Sequence, residues 1–195
     1  MEEIRETKQE IRAEVAHLVK SLSGSERTDR QKAIEERLFG FANFLEANIV
    51  LLYVGREGEV PTDNILRRCH DLNKVLVLPA FHAGSRDMTL MKVDHLKKDL
   101  KVGPRGVLEP DPNRCKIVPI DYIDIAIVPG IALDEKGARI GSGDGYYDRL
   151  IPRLSITTRK VALAFEEQIV PQVPMEPHDK HVDIIITDQR IVYKI

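Results

Sequence analysis

The chain has 195 residues, of which 43% are hydrophobic and 31% are charged, a mixture typical of an ordinary globular protein. It contains 29 Lys and Arg residues and 31 Asp and Glu residues, which gives a formal net charge of −2. This balance argues against a nucleic-acid partner, because such a partner requires many phosphates to be neutralised. The length predicts one domain over residues 1–195.

The first residues, Met-Glu-Glu-Ile-Arg, lack the basic and then apolar stretches of a secretion signal. No segment approaches the ~20 apolar residues that span a bilayer. We therefore expect a cytoplasmic protein without a membrane partner. Cys69 and Cys115 lack the spacing of a redox or zinc site, so we interpret them as structural thiols.

The chain begins with two predicted amphipathic helices. Over Glu3–Leu22, apolar residues recur at helical spacing, with Lys and Glu on the other faces. The segment 23–26, Ser-Gly-Ser-Glu, ends this helix and offers an N-cap for the next. The apolar residues of the second helix recur every three or four positions: Ile34, Leu38, Phe41 and Leu45.

Short apolar runs then predict buried strands at Asn48–Val54, Lys74–Pro79, Ile123–Pro129, Lys160–Phe165 and Val182–Thr187. A helix is predicted over Pro61–Leu72, with Thr62 as its candidate cap. Within Phe81–Pro119, which is rich in Gly and Pro, only one strand is predicted, at Met88–Val93. The alternation predicts an α/β fold: an open, mostly parallel sheet with helices on both faces, Rossmann-like and three-layered, preceded by the two helices. Ligands are expected beyond the carboxyl ends of the strands.

The segment 137–149 reads Gly-Ala-Arg-Ile-Gly-Ser-Gly-Asp-Gly-Tyr-Tyr-Asp-Arg and precedes an apparent helix that runs to Leu154. Alternate glycines free the backbone to turn successive N–H groups inward, which makes a nest for phosphate oxygens. The helix N-terminus would add partial positive charge, and Arg139 and Arg149 add two cations. The glycine spacing is that of neither a Walker A loop nor a dinucleotide fingerprint. A flexible hairpin tip is the alternative interpretation.

This segment resembles the signature of the 5-formyltetrahydrofolate cyclo-ligase family, Gly-x-Arg-Leu/Ile-Gly-x-Gly-x-Gly-Tyr-Tyr-Asp-Arg, at every fixed position. Further marks of that family follow one another in the same order: Lys8–Arg12, Glu59–Thr62, Gly106–Pro110, Val128–Asp134, Phe165, Gln168, His178, Asp179 and Val182–Thr187. The resemblance extends over residues 8–188. Several separated motifs in order are more specific than one loop.

The resemblance implies an enzyme that converts 5-formyltetrahydrofolate to 5,10-methenyltetrahydrofolate, with ATP as co-substrate and Mg²⁺ as cofactor. The formyl oxygen is phosphorylated, N10 closes the ring, and ADP and phosphate are released. ATP is needed because the amide-like oxygen is a poor leaving group until it is phosphorylated. The protein would position the two substrates and stabilise the transferring phosphoryl group. We expect a monomer or a weak homodimer.

Site residues follow from the same resemblance. The implied ATP contacts are Lys8, Arg12, Arg139, Ile140, Gly141, Ser142, Gly143, Asp144, Gly145, Tyr146 and Tyr147. The implied folate contacts are Val54, Glu59, Ser142, Gly143, Asp144, Gly145 and Tyr146. Arg139 and Tyr146 are assigned to catalysis, and Asp148 and Asp179 to the metal. A carboxylate at Glu59 suits the donor edge of a pterin.

Other interpretations of these residues stay open. Lys8 and Arg12 would share one helical face, which is commonly solvated. Asp148 could stabilise a helix dipole, and the tail 178–183, His-Asp-Lys-His-Val-Asp, could hold a transition metal. The scattered histidines are interpreted as surface or packing residues: His17, His70, His82 and His95.

Two positions depart from the family pattern. Leu133 stands where Phe is usual, and Asp144 stands where Gly or a basic residue is usual. Because a carboxylate would repel a triphosphate, we expect Asp144 to be turned away from it. Two rival functions remain: a paralogue of the family without cyclo-ligase activity, and an ATP-binding regulatory module that would make no use of Glu59.

Overall fold

The computed structural model describes residues 2–194. Its α-helices are α1 (Glu2–Ser21), α2 (Gly24–Phe39), α3 (Ala42–Glu46), α4 (Asp63–Asp71) and α5 (Tyr146–Leu150). Short 3₁₀ turns occur at Ile120–Tyr122, Ile151–Arg153 and Glu166–Gln168. None of the helices in this part of the chain combines the length and the apolar character needed to cross a membrane.

The strands run from the centre of the chain to its end. They are β1 (Ile49–Leu51), β2 (Val75–Phe81), β3 (Met88–Lys92), β4 (Leu100–Val102), β5 (Leu108–Pro110), β6 (Lys116–Ile117), β7 (Ile125–Val128), β8 (Ala132–Leu133), β9 (Arg139–Ile140), β10 (Arg159–Ala164), β11 (Ile184–Thr187) and β12 (Ile191–Tyr193). Eight of them form one sheet in the order β12, β11, β10, β7, β1, β2, β3, β6. The five strands from β11 to β2 are parallel, and the outer pairs are antiparallel. With helices on both faces, the predicted fold class is confirmed.

The leading helices differ from the prediction at one point. Ser23 caps α2 as expected, since its hydroxyl accepts a hydrogen bond from the Glu26 amide at 3.2 Å. The helix nevertheless ends at Phe39, with Gly40 as its C-cap. Phe41 is extended and Leu45 belongs to the separate helix α3. The prediction of one helix reaching Leu45 was therefore wrong, because the apolar spacing continues across Phe41 although the backbone becomes extended there.

The region between β2 and β7 contains three strands that the sequence did not reveal. Strands β4 and β5 pair with each other, and β6 pairs with β3 at the edge of the main sheet. Each has only two or three residues, too short for a periodic pattern to be recognised. The terminal strand β12 was missed as well.

The strand order reverses between β1 and β7. From β1 the sheet continues to β2 on one side, whereas β7 leads through β10 to β11 on the other. Ligands of open α/β sheets bind in the crevice that such a reversal leaves at the carboxyl ends of the strands. The segments that leave β1 and β7 should therefore form the site, and residues 53–59 and 129–131 occupy these positions.

Candidate active site

One pocket lies in this crevice, and Glu59 is its buried acid; we call it the Glu59 pocket. Its walls are formed by Tyr53, Val54, Arg56, Glu59, Leu78, Pro79, Phe81, Arg105, Val107, Leu108, Pro129 and Tyr147. Glu59 is only 4% exposed, and its carboxylate accepts a hydrogen bond of 2.9 Å from the Arg56 amide. Burial raises the pKa of Glu59, and the Arg56 amide and nearby arginines oppose that rise. Val54 and Glu59 thus occupy the expected place.

Gln168 joins the two segments that build this pocket. Its buried side-chain amide donates to the carbonyls of Gly58 at 3.1 Å, Gly130 at 3.2 Å and Ile131 at 2.9 Å. Its carbonyl oxygen accepts from the Phe165 amide at 2.8 Å. One side chain therefore fixes the loop after β1 against the loop after β7, which places Glu59 before any ligand arrives.

A second cavity of about 550 Å³ adjoins the first; we call it the cationic cavity. Its walls include Arg5, Lys8, Gln9, Arg12, Arg86, Arg105, Pro129, the segment 139–149, Glu176, His178 and Asp179. The predicted ATP residues, Lys8, Arg12 and Arg139–Tyr147, therefore surround one cavity. Both predicted metal residues, Asp148 and Asp179, line it too.

The glycine segment is anchored at its start. Arg139 and Ile140 form β9, which pairs with β8, so the interpretation as a flexible hairpin tip fails for these residues. Gly143 and Gly145 have φ values of 105° and 74°, a region that favours glycine. Helix α5 begins after Gly145 but has only five residues, and a 3₁₀ turn carries the chain on toward Leu154. Any anion in this cavity would therefore meet mainly side-chain cations rather than a helix dipole.

Arg139 forms the floor of the cationic cavity. Its guanidinium is buried and donates to the Pro129 carbonyl at 3.1 Å and to the Asp148 carboxylate at 2.9 Å. Its Nε has no partner among residues 2–194, and neither has the buried hydroxyl of Tyr147. Tyr146 lies at the rim, where its hydroxyl donates to the His82 carbonyl at 3.3 Å. Both residues assigned to catalysis therefore line the cavity.

Helix α1 supplies the opposite wall. The Lys8 ammonium is buried and donates to Glu176 at 3.0 Å and to Asp179. Arg12 donates from Nε to the Gly141 carbonyl at 2.9 Å. The alternative of a solvated face is therefore wrong for Lys8 and for Arg12, which is half-buried.

The acids near Lys8 form a compact group. Donor atoms of Glu176, His178 and Asp179 all lie within 4.8 Å of one another. Asp148 is paired with Arg139 instead and does not belong to this group. Asp183, at the far end of the tail that could have held a transition metal, pairs with Lys160 at 3.2 Å. The tail as a whole is therefore not one metal cluster.

Several residues of the site were not predicted, among them Arg56, Arg105 and Glu176. Asp144 was expected to turn away from the cavity, but it lines the cavity, and its carboxylate accepts from Arg105 at 2.9 Å and Arg56 at 3.3 Å. The two arginines neutralise the acid, which removes the reason for it to face outward. Arg56 lies in the segment that leaves β1 and could have been found there, whereas Arg105 lies in a turn without any sequence signal.

Both cysteines are buried and free, as expected of structural thiols. Burial raises the pKa of Cys69 to about 12, so its thiol stays protonated. Neither cysteine lines the Glu59 pocket or the cationic cavity. Within the part of the chain that the structure describes, the chemistry of the cleft therefore rests on other side chains.

Comparisons with known proteins show to which family the chain is similar. A model of the 5-formyltetrahydrofolate cyclo-ligase family matches residues 4–188. A probable 5-formyltetrahydrofolate cyclo-ligase of Caenorhabditis elegans is 29% identical, covering 95% of each chain, and the Escherichia coli K12 cyclo-ligase is 24% identical, covering 88% of this chain and 95% of its own. The solved 5,10-methenyltetrahydrofolate synthetase of Aquifex aeolicus superposes with a TM-score of 0.83 at 30% identity, covering 96% of this chain and 92% of its own. The chain belongs to the 5-formyltetrahydrofolate cyclo-ligase family.

Proposed function

We propose that this protein converts 5-formyltetrahydrofolate to 5,10-methenyltetrahydrofolate at the expense of ATP, with Mg²⁺ as cofactor. The observation that carries the proposal is the division of the cleft into two adjoining compartments. One holds a buried carboxyl, Glu59, and the other holds cations from three separate parts of the chain. Their shared wall consists of Arg105, Pro129 and Tyr147.

The side chains of the two compartments suit the two substrates, and the Glu59 pocket, with a free volume of about 10 Å³, must open to admit a ring. A pterin presents N–H donors to Glu59 through charge-assisted hydrogen bonds, while Phe81 and Leu78 supply apolar walls for its ring. A triphosphate meets Lys8, Arg12 and Arg139 in the cationic cavity. The formyl group and the γ-phosphate then face each other at the shared wall, and this proximity supplies much of the catalysis.

The reaction is one phosphoryl transfer followed by ring closure. The formyl oxygen forms a bond to the γ-phosphorus, and the bond from that phosphorus to the bridging oxygen breaks with its electron pair kept by ADP. N10 next attacks the formyl carbon and loses its proton to solvent or phosphate. The C–O bond then breaks, and inorganic phosphate leaves with the electron pair. Arg139, with its unpartnered Nε, is placed to stabilise charge on the phosphoryl oxygens.

The carboxylates of the cationic cavity fit a magnesium ion. Mg²⁺ uses one or two carboxylates together with substrate phosphates and waters, and the group of Glu176 and Asp179 offers such oxygens. Asp148, at the cavity floor, is a further candidate. Bound there, Mg²⁺ would neutralise charge on the phosphates. The protein's own part is to hold these acids near Lys8, which balances their charge.

A location in the cytoplasm and a monomeric or weakly dimeric state remain predictions. The near-neutral charge and the absence of a membrane-crossing helix among residues 2–194 are compatible with both. A fluorescent fusion tests the location, and size-exclusion chromatography with light scattering tests the assembly.

The proposed reaction is tested by the absorbance of methenyltetrahydrofolate after the protein is mixed with 5-formyltetrahydrofolate, ATP and Mg²⁺. We expect product only when ATP is present, and we expect Asp148→Asn to abolish it because Arg139 loses its charged partner and the metal loses a candidate ligand. The matched control is Asp121→Asn, an exposed acid outside both compartments. It should retain full activity.

Two results would contradict the proposal in different ways. ATP binding without product would favour a paralogue with another reaction. ATP binding that is indifferent to both folate and Glu59→Gln would favour a regulatory module, because such a module has no use for the Glu59 pocket.

A further inference from the structure

Arg105 occupies an unusual position at the junction of the two compartments. Only Arg105, Pro129 and Tyr147 line both the Glu59 pocket and the cationic cavity among residues 2–194. Of these three, Arg105 alone carries a permanent charge. A group that extends from one compartment into the other therefore lies next to this guanidinium.

The guanidinium is held rigidly. It lies over the ring of Phe81 at 4.3 Å and over the ring of Tyr146 at 5.0 Å, and these two rings meet edge to face at 4.9 Å. One amino group donates to Asp144 at 2.9 Å and to the Ser142 hydroxyl at 3.1 Å. The side chain is only 12% exposed. Its orientation is therefore fixed before a substrate binds.

The turn that carries Arg105 is fixed as well. The Gly103 amide donates to the Val107 carbonyl at 2.8 Å, and the Gly106 amide donates to the Gly103 carbonyl at 3.0 Å. Glu109 packs so closely on Gly103 that an added Cβ would lie 2.0 Å from its carboxyl carbon. The Glu109 carboxylate also accepts from the Phe81 amide at 3.3 Å. The turn is thus locked to β2, which supplies one of the two rings.

Arg105 retains unused donors. Its Nε is buried and has no hydrogen-bond partner in the described chain. A buried unsatisfied donor is costly and calls for an explanation, of which a catalytic or ligand-binding role is one. The Tyr147 hydroxyl at the same junction lacks a partner too, and so does the Arg139 Nε in the cationic cavity. Three buried donors of the cleft therefore have no acceptor within the described chain.

We infer that Arg105 is a catalytic residue that binds the oxygen joining the formyl carbon to the γ-phosphorus during phosphoryl transfer, and that Asp144 is a positioning residue that holds Arg105 there. The inference rests on the proposed function. As the new P–O bond forms and the bond to ADP breaks, negative charge spreads over the phosphoryl oxygens, and a preorganised guanidinium stabilises that charge. Asp144 is one of the two residues that depart from the family pattern, and its role is to hold the Arg105 guanidinium in place.

The test compares Arg105→Met, Arg105→Lys and Asp144→Asn with the parent. Arg105→Met should lower kcat by on the order of 10²–10³-fold, while the equilibrium Kd values for ATP alone and for 5-formyltetrahydrofolate alone stay within about threefold. Arg105→Lys keeps the positive charge but lacks the planar guanidinium, so its kcat should lie between those of the parent and Arg105→Met. Asp144→Asn should lower kcat by about tenfold, since it weakens the hold on the guanidinium without removing it.

Arg153→Met is the matched control, because Arg153 pairs only with the exposed Asp87 in the described structure and lines neither compartment. It should leave kcat and both Kd values unchanged. Melting temperatures show whether each variant is folded. If Arg105→Met does not fold, the kcat of Arg105→Lys is compared with that of the parent instead.

The inference is overturned if Arg105→Met keeps kcat within about threefold of the parent, or if it raises the KM for folate alone, which would assign Arg105 to a folate carboxylate. It is also overturned if ATP affinity falls in the same proportion as kcat. A parent protein that forms no product refutes the proposed reaction itself. Normal turnover by both the parent and Arg105→Met refutes only the role of Arg105.

Discussion

The Glu59 pocket and the cationic cavity share a wall but hold their acids in different ways. Glu59 accepts its hydrogen bond from a backbone amide, and burial raises its pKa. Glu176 accepts from the Lys8 ammonium, which lowers its pKa. Burial tends to raise the pKa of Asp179, but hydrogen bonds from the Glu176 amide and Lys8 hold it below its ordinary value.

This difference shows how each compartment is prepared for its ligand. In the Glu59 pocket, a backbone amide holds the carboxylate and the Gln168 side chain holds the two loops together. Because the pocket has a free volume of only about 10 Å³, its walls must move apart to admit a ring. In the cationic cavity, Lys8 and Arg139 are each engaged by a carboxylate. On the proposed function, a triphosphate would replace the carboxylates as partner of these cations, and the released carboxylates would become available to Mg²⁺. We expect nucleotide and metal to depend strongly on each other there.

Among the variants that probe this contrast, Lys8→Met should have the largest effect. Removing the ammonium takes a charged contact from ATP, so the KM for ATP should rise by about 10–100-fold. Glu176 and Asp179 then lose their cation, so free Mg²⁺ should bind the nucleotide-free variant more tightly than the parent. Steady-state kinetics and calorimetric titration with MgCl₂ measure the two changes.

Lys20→Met provides the control for this prediction. Lys20 lies on the same helix but is exposed, and it pairs with the exposed Glu57. Its removal should change neither the KM for ATP nor the affinity for Mg²⁺, because exposed ion pairs contribute little. An unchanged KM for ATP in Lys8→Met would show that Lys8 does not leave its carboxylate partners to bind ATP.

Gln168→Leu should disturb the other compartment by a smaller amount. The substitution leaves the carbonyls of Gly58, Gly130 and Ile131 without their donor. We expect a loss of about 2–3 kcal/mol in the free energy of unfolding and a rise in the KM for folate that exceeds the rise for ATP. Urea denaturation and steady-state kinetics measure these changes.

The matched substitution is Gln189→Leu, at an exposed position. It should change the free energy of unfolding by less than about 0.5 kcal/mol. If Gln168→Leu raised the two KM values equally, the anchor would serve the whole cleft rather than the Glu59 pocket.

The same contrast explains what the sequence could reveal. The five central strands were predicted because both faces are buried, which produces apolar runs such as Ile125–Val128. The edge strands escaped because Leu100–Val102 and Lys116–Ile117 are short and largely exposed. Such strands are defined by their partners rather than by their own residues.

The site divides similarly. Residues within a motif, such as Glu59 and the segment 139–149, were found because motif and position coincide. Arg105 and Glu176 were missed because their roles depend on contacts between distant parts of the chain. Arg105 meets Asp144 across 39 positions, and Glu176 meets Lys8 across 168. Pairings of this kind appear only once the fold brings the residues together.

The smallest and most specific effect is expected from Glu59→Gln. Because the folded-state pKa of Glu59 is raised by burial, the ionised carboxyl costs stability above that pKa, and the cost disappears as the pH falls through it. Glutamine removes the cost, so the melting temperature at pH 7 should rise or stay unchanged. Folate affinity should nevertheless fall by about tenfold, because a charge-assisted hydrogen bond becomes a neutral one.

The pH dependence separates the two effects of this substitution. In the parent, affinity for 5-formyltetrahydrofolate should weaken as the pH falls and Glu59 becomes protonated, which its burial-raised pKa brings about at a higher pH than for an exposed glutamate. Glu59→Gln should lack this pH dependence while keeping any contribution from ionisation of the ligand, which makes it the control for the parent's profile. Ligand-binding fluorescence as a function of pH provides the measurement. If the affinities of the two proteins depended on pH in the same way, Glu59 would bind no donor of the substrate. The assignment of the Glu59 pocket to the pterin would then be wrong.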